Sequence, residues 1–247
     1  MKVSVITPSV RPELIEIVAK CLKRQSFQAK EWLIGGPESL EGNFARTLLE
    51  YDYKYVIEPP KKEGDYYGLN KAWNALFREA KGDLIVDIMD GLWFPSDILE
   101  KLWSHYEANP KACITCVGDQ YKDVVNGKPE NKVWVDPRKR TDSGSFYEVG
   151  WLEMEFCMTS FPRQMVLDVG GIDEEFDKGA AVGEKELMMR ATYAEYKTYI
   201  SQDIEYRAIH HPRLSGDWDE KYLIAQEYYN KCAREIIAGA RLKLNYL

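Results

Sequence analysis

The stretch GDYYGLNKAWNALFREAKGDLIVDIMDGLWFP, residues 64–95, decides the fold of this 247-residue chain. Its first half predicts a turn and then an amphipathic helix, because apolar residues recur at helical spacing after Leu69. Gly82 ends that helix, and the apolar residues after it predict a short strand. Asp87 and Asp90 lie where the strand ends. In an open α/β sheet ligands bind at the carboxyl ends of strands, so these carboxylates are candidates for holding a metal ion or a phosphorylated ligand.

Strands and helices alternate on both sides of this stretch. The predicted strands cover residues 3–7, 32–34, 55–57, 84–88, 112–117 and 204–209. The predicted helices cover residues 12–25, 43–50, 69–80 and 219–244. This order predicts an α/β fold with a mostly parallel, doubly wound sheet. Residues 118–150 are polar and carry the turn signals NGKP and DPRKR, so this half is expected to be less regular.

Three motifs resemble, in order along the chain, those of the inverting family 2 of nucleotide-diphospho-sugar glycosyltransferases, which have the GT-A fold. The opening VSVITPSVRPE is similar to the start of that family, and IEPPKKEGDYYGLNKAWNALFREAKGDLI to its central motif. The block FPRQMVLDVGGIDEEFDKGAAVGEKELMMRA is similar to its catalytic region. The resemblance spans about residues 3–215. It implies a GT-A fold and the transfer of a sugar from a nucleoside diphosphate donor to a hydroxyl acceptor.

The loop after the first strand is the first donor-site candidate that the resemblance implies. Family members hold the donor nucleotide there, so Thr7, Pro8 and Arg11 are expected to contact the donor. An arginine is also suited to a phosphate. The alternative is that the prolines of this loop only shape a turn from strand to helix.

The start of the third helix is the second donor-site candidate. Lys71 and Asn74 lie on its first turns, where free N–H groups and the helix dipole favour a pyrophosphate. Asp65 is close enough to replace an aspartate that the family has where this chain has Tyr67. A solvated lysine on an amphipathic helix is the alternative. The second strand ends in GGPES without the aspartate that reads the base in the family, which leaves the nucleobase open.

The metal motif departs most from the family. There, an aspartate after the strand holds a divalent ion, and this chain has Met89-Asp90-Gly91 at those positions. We expect Asp90 to be the metal ligand for Mn²⁺ or Mg²⁺, which prefer oxygen ligands. His211, in YRAIHHPRLS, matches a histidine that in some family members supplies a further metal ligand or contacts the donor phosphate, and we expect it to be the second ligand. A metal-independent site is the alternative.

Glu184 is the catalytic candidate, because it lies at the position where the family has its catalytic aspartate or glutamate. As general base it would take the proton of the acceptor hydroxyl on the side opposite the leaving diphosphate. Glu186, two positions later, is the weaker candidate. The alternative is that both acids only complement the dipole at the start of a helix.

Composition is typical of a folded enzyme, with 45% hydrophobic and 30% charged residues. A net charge of −7 argues against a broad nucleic-acid-binding surface. No apolar run approaches the roughly 18 residues that a membrane span needs, and we expect a cytoplasmic protein. Five scattered cysteines favour reduced thiols, and Cys113-x-x-Cys116 is read as buried packing with a zinc or redox role as the alternative.

We therefore expect one glycosyltransferase domain over residues 1–247. Its nucleotide-sugar half covers about residues 1–117, its acceptor and catalytic half about 118–218, and a C-terminal helix about 219–247. That helix is expected to dock on the sheet or on a second copy in a homo-oligomer, with a membrane surface as the alternative. The rival hypothesis is a non-catalytic nucleotide- or glycan-binding module derived from the same fold. The sugar, the nucleotide and the acceptor are not identified by the sequence.

Overall fold

The computed structural model of the chain describes residues 2–139, 144–210 and 217–247. Within these residues ten strands form one mixed sheet, and seven α-helices pack around it. The strands are β1 (Val3–Pro8), β2 (Glu31–Gly36), β3 (Lys54–Ile57), β4 (Leu84–Ile88), β5 (Leu92–Trp93), β6 (Ala112–Val125), β7 (Lys128–Trp134), β8 (Phe146–Glu148), β9 (Met158–Pro162) and β10 (Lys197–Ile209). The helices are α1 (Pro12–Lys23), α2 (Glu41–Thr47), α3 (Leu69–Glu79), α4 (Ile98–Ala108), α5 (Arg163–Val169), α6 (Gly183–Tyr193) and α7 (Trp218–Ile237).

The order of the strands places the ends of β1 and β4 side by side. Along the sheet the order is β3-β2-β1-β4-β9-β6-β10-β5, with β7 beside β6 and β8 beside β10. The first four strands are parallel, β9 is antiparallel to β4 and β6, and β6 and β10 are parallel again. The predicted α/β class is confirmed. Because β1 and β4 are parallel neighbours, their carboxyl ends meet at one edge of the sheet, where a ligand is expected.

Side-chain alternation along β4 divides the core into two layers. Leu84, Val86 and Ile88 pack with α1 and α4 on one side, while Ile85 packs with α3, α5 and α6 on the other. Since successive side chains of a strand point to opposite faces, Asp87 lies on the α3 side with Ile85. This direction decides which acidic residues meet at the end of the strand.

The second half of the chain contains a long hairpin that the sequence analysis did not predict. β6 extends from the predicted strand to Val125 and pairs with β7 across the NGKP turn. Asn126 and Gly127 have φ of 52° and 75°, as a two-residue turn between antiparallel strands requires. The turn signal was therefore correct, but the sequence did not reveal the exposed end of β6 or the strand β7, most of which is also exposed.

The C-terminal helix is shorter than predicted and packs on a helix rather than on the sheet. It ends at Ile237 instead of residue 244, and Gly239 follows with φ of 73°. The tail then returns to the end of α5, where the N–H of Leu244 donates to the carbonyl of Val169 over 3.0 Å. α7 packs against α6. None of the helices in the described residues has the length and apolar character needed to cross a membrane.

The two cysteines of the C-x-x-C pattern do not converge. Cys113 packs in the layer on the α3 side and Cys116 in the layer on the α1 side, because three residues along a strand reverse the face. Burial raises the pKa of both thiols. Their positions are those of packing residues, as the sequence analysis expected.

Candidate functional site

The end of β1 carries the first predicted donor residues. Thr7 is fully buried, and its hydroxyl accepts a hydrogen bond of 3.0 Å from the indole N–H of Trp32. Pro8 closes the β1 ladder opposite Gly35 of β2. The Thr7 hydroxyl is thus engaged inside the sheet, and Pro8 starts the turn that leads to Arg11.

Arg11 and Asp90 form an ion pair at the edge where β1 and β4 end. The Arg11 Nη2 atom lies 2.8 Å from Oδ1 of Asp90, and Nε donates to Oδ2 over 3.2 Å. The hydroxyl of Ser9 donates to the same Oδ2 over 2.6 Å. The Asp90 side chain is only 1% exposed. One cluster therefore joins a predicted donor residue and the predicted metal ligand, and it includes Ser9, which the sequence analysis did not select.

This arrangement does not fit a divalent cation well. A guanidinium and a hydroxyl already donate to the Asp90 carboxylate, while Mn²⁺ or Mg²⁺ would need those oxygens. In the described parts of the chain, no group of three or more His, Cys, Asp or Glu side chains is placed to hold a metal ion. His211, the second predicted ligand, lies outside the described residues. The metal role of Asp90 and His211 stays a prediction.

The start of α3 is capped by a carboxylate from far along the chain. Oδ1 of Asp177 accepts bonds of 2.9 Å from both the backbone N–H and the side-chain amide of Asn70, and Oδ2 accepts from the backbone N–H of Lys71 over 3.3 Å. The Lys71 side chain is 1% exposed and forms an ion pair with Asp65. Asp65 and Lys71, predicted to hold the donor, therefore bind each other in a buried contact.

Asn74, the third predicted donor residue on this helix, connects α3 to the loop after α5. Its side-chain amide donates to the carbonyl of Ile172 over 2.8 Å, and its carbonyl oxygen accepts from the Ile172 N–H over 2.9 Å. The amide also donates to the carboxylate of Glu174 over 3.0 Å. These bonds assign Asn74 a packing role, and its predicted contact with a donor has no support in them.

Two carboxyl groups near this helix have raised pKa values. Burial raises the pKa of Glu58 to about 7, and the neighbouring charge of Asp177 adds to the shift. Burial also raises the pKa of Asp177 to about 6, against the hydrogen bonds that it accepts from Asn70 and Lys71. The pair, together with Lys71 and Asp65, forms a charged cluster under the end of β3.

Glu184 and Asp87 lie within electrostatic range of each other at the ends of α6 and β4. Glu184 is the second residue of α6 and is half-buried. Asp87 is fully buried, and its Oδ1 accepts a hydrogen bond of 3.1 Å from the indole N–H of Trp73. Burial raises the pKa of Glu184. Burial also raises the pKa of Asp87 well above its usual value, and the charge of Glu184 raises it further. A carboxylate with this setting is suited to accept a proton.

Glu155 is a third acidic residue at this place, and no sequence pattern indicated it. Its backbone carbonyl accepts bonds from the hydroxyls of Thr115 and Thr159, over 2.9 and 2.5 Å. Its half-exposed carboxylate lies 3.4 Å from the guanidinium of Arg138 and raises the pKa of Glu184 in addition to burial. Glu155 belongs to the loop before β9, so it comes near α6 only when the chain is folded.

Glu186, the weaker catalytic candidate, is buried in an ion pair with Arg190 one helical turn later. Its side chain is fully buried, and Arg241 also contacts it over 3.1 Å. Glu186 therefore anchors α6, and Glu184 at the start of the helix is the acid of the two that solvent reaches.

Five of the predicted site residues thus fall into three separate groups. Arg11 and Asp90 form the first, Asp65 with Lys71 the second, and Glu184 the third. Two aromatic residues of the second half lie on opposite sides of the sheet: Phe156 packs on Trp73 in one core layer, while Phe146 stacks on His105 in the other. Asp177 and Ser9 were missed because their partners lie 107 and 81 residues away in sequence.

No protein-family model matches the chain, and no curated protein matches it by sequence. Solved structures do match it. TarS residues 1–349 of S. aureus in complex with UDP-GlcNAc matches with a TM-score of 0.61 and 13% identity, over 94% of this chain and 66% of that one. GalNAc-T7 with UDP, GalNAc and Mn²⁺ matches with a TM-score of 0.65 and 12% identity, over 92% of this chain and 48% of that one.

The mannosyltransferase PcManGT of Pyrobaculum calidifontis, in complex with GDP-Man and Mn²⁺, matches with a TM-score of 0.63 and 16% identity. That match covers 96% of this chain and 64% of the mannosyltransferase. The chain therefore spans about half to two thirds of the length of these proteins. At such low identity the likeness concerns the fold, and it shows that this chain has the GT-A fold of nucleotide-sugar glycosyltransferases.

Proposed function

We propose that the chain is a glycosyltransferase that moves a sugar from a nucleoside diphosphate donor to a hydroxyl acceptor with inversion. The observation that carries the proposal is the position of Glu184: it lies in the first turn of α6, half-buried and within electrostatic range of Asp87 of β4, in a GT-A fold. The structural neighbours bind UDP, UDP-GlcNAc or GDP-Man, which supports a donor of this class. The family 2 resemblance supports inversion.

In the proposed reaction Glu184 accepts the proton of the acceptor hydroxyl. The acceptor oxygen then forms a bond with the anomeric carbon from the face opposite the diphosphate. The bond between the anomeric carbon and the diphosphate oxygen breaks, and its electron pair leaves with the diphosphate. Because burial raises the pKa of Glu184, this carboxylate is a stronger base than an exposed glutamate.

The test compares Glu184→Gln with the unchanged enzyme on a panel of UDP- and GDP-sugars, measuring release of the diphosphate. Without the base we expect turnover to fall by about 10²–10⁴-fold. In the unchanged enzyme, activity should rise with pH through the raised pKa of Glu184, because only the ionised carboxylate accepts a proton, and the variant should lose this rise. Glu195→Gln is the matched control, since Glu195 is 86% exposed and pairs only loosely with Lys111 among the described residues.

The rival function is a non-catalytic nucleotide-binding module, which the buried pairing of Lys71 and the missing aspartate after β2 favour. Nucleotide binding without turnover of any donor in the panel would support that module. Turnover that Glu184→Gln leaves unchanged would refute the role of Glu184 as base.

A further inference from the structure

The ion pair of Arg11 and Asp90 occupies the place where this fold is expected to hold its donor diphosphate. Arg11 follows the end of β1 by three residues, and Asp90 follows the end of β4 by two. These strands are parallel neighbours, so both side chains lie at the carboxyl edge where ligands of open α/β sheets bind.

In this cluster the carboxylate of Asp90 binds and orients the guanidinium of Arg11. Its two oxygens face Nε and Nη2 of Arg11, and the Ser9 hydroxyl completes the contact to Oδ2. The backbone N–H of Arg11 also donates to Ser9 Oγ over 3.0 Å. A dication on the same carboxylate would lie against the positive guanidinium, so a metal ion and the ion pair exclude each other.

Arg11 keeps hydrogen-bonding capacity after it has bound Asp90. A guanidinium has five N–H donors, and Asp90 takes only one edge of the fork. Within the described residues, the buried Nη1 atom has no hydrogen-bond partner. A buried donor without a partner is rare in a folded protein, and a ligand with acceptor oxygens would satisfy it. Arginine is the residue best matched to phosphate oxygens.

The helix that begins directly after Arg11 adds to this positive character. α1 starts at Pro12, and among the described residues the side chain of its N-cap residue, Arg11, makes no capping hydrogen bond. Its free N–H groups and its dipole therefore favour an anion near Arg11. The start of α3, by contrast, is already occupied by the carboxylate of Asp177.

We propose that Arg11, oriented by Asp90 and Ser9, supplies the positive charge at the donor diphosphate that a divalent ion supplies in metal-dependent enzymes. Donor binding and transfer then require no metal. This inference rests on the proposed function and assigns Asp90 as the residue that positions Arg11. As the bond to the anomeric carbon breaks, charge builds up on the diphosphate oxygens, and the fixed guanidinium stabilises it.

The test measures the dissociation constants of UDP and GDP for the full chain by calorimetry, once with Mn²⁺ and once with EDTA. For the nucleotide that binds, we expect the two constants to agree within about twofold, and EDTA to leave donor turnover unchanged. Arg11→Gln should weaken binding about 10–100-fold under both conditions, from the loss of a charge-assisted contact. The affinity of Arg11→Lys should lie between that of the unchanged protein and that of Arg11→Gln, since lysine keeps the positive charge but loses the paired N–H donors of the guanidinium. Arg46→Gln is the control, because Arg46 is exposed on α2.

Binding that is at least tenfold tighter with Mn²⁺ than with EDTA would overturn the inference and leave the transferase proposal intact. Unchanged binding in Arg11→Gln would overturn it as well. If neither nucleotide binds the unchanged protein under any condition, the transferase proposal and the inference fail together. The metal comparison uses the unchanged chain, so it holds even where a variant folds poorly.

Discussion

Arg190→Met is expected to destabilise the protein strongly, because it breaks a buried ion pair inside α6. Arg190 and Glu186 both have fully buried side chains. Nε and Nη2 of Arg190 donate to the two oxygens of Glu186 over 2.9 and 2.7 Å. Nη1 and Nη2 also donate to the carbonyls of Val169 and Gly171, over 2.5 and 2.8 Å. One side chain thus ties the helix of Glu184 to the end of α5.

The expected magnitude follows from what the substitution leaves behind. Removing one partner of a buried ion pair costs about 3–5 kcal/mol, since the other charge stays in a poorly solvated place. Arg241 still contacts Glu186 over 3.1 Å, which offsets part of this cost. We therefore expect the free energy of unfolding to fall by about 3 kcal/mol. In the double variant Glu186→Gln with Arg190→Met the stranded charge is gone, and about 1–2 kcal/mol should return.

Urea unfolding of the two single variants and the double variant measures these energies. Lys20→Met is the matched control, because Lys20 and Glu16 form an ion pair with the same spacing on α1 but are about half exposed. Its cost should stay within about 0.5 kcal/mol. A loss below about 1 kcal/mol for Arg190→Met, or a double variant as unstable as the sum of the singles, would refute the reasoning.

Two further predictions concern stability. Burial raises the pKa of Glu58 from 4.5 to about 7, so the folded state binds the proton of this carboxyl group more tightly than the unfolded state does. The stability that proton binding contributes is therefore lost as the pH rises from about 4.5 to 7. Glu58→Gln should therefore raise the unfolding free energy at pH 8, but not at pH 4, by about 1–2 kcal/mol, from 1.36 kcal/mol per pKa unit discounted for solvent screening. Equal pH dependence of urea unfolding in both proteins would contradict this. Gly118→Ala should cost about 1–3 kcal/mol in the same assay, because the added Cβ would overlap the ring of Tyr206, and a stability equal to the unchanged protein would show that the ring moves aside.

Local pattern was enough to predict most of the sheet's first half. The strands and helices up to β4 were predicted in the right order because their periodicity is decided within about 18 residues. The same holds for the NGKP turn, whose positive φ values depend on two residues only. β7 was not predicted because its sequence KPENKVW is mostly polar and shows no alternating apolar face.

The residue types of the candidate site were predictable from the sequence, but which of these side chains contact each other was not. Asp87 and Asp90 at the end of β4, Arg11 after β1 and Glu184 at the start of α6 were selected as single candidates. The fold pairs Arg11 with Asp90 and brings the charge of Glu184 within range of Asp87. Which of them touch depends on strand register and loop closure. Arg11 binds Asp90 across 79 residues, and Asp177 caps α3 across 107.

The sequence by itself determined the α/β class, the order of elements and the chemical types at the strand ends, since these follow from side-chain period and turn chemistry over short windows. Only the tertiary structure decided that Asp87 lies within electrostatic range of Glu184 while Asp90 pairs with Arg11, and that Lys71 is buried against Asp65. The physical reason is that an ion pair or a hydrogen bond acts over about 3 Å, a distance that packing fixes between segments and that no local pattern contains.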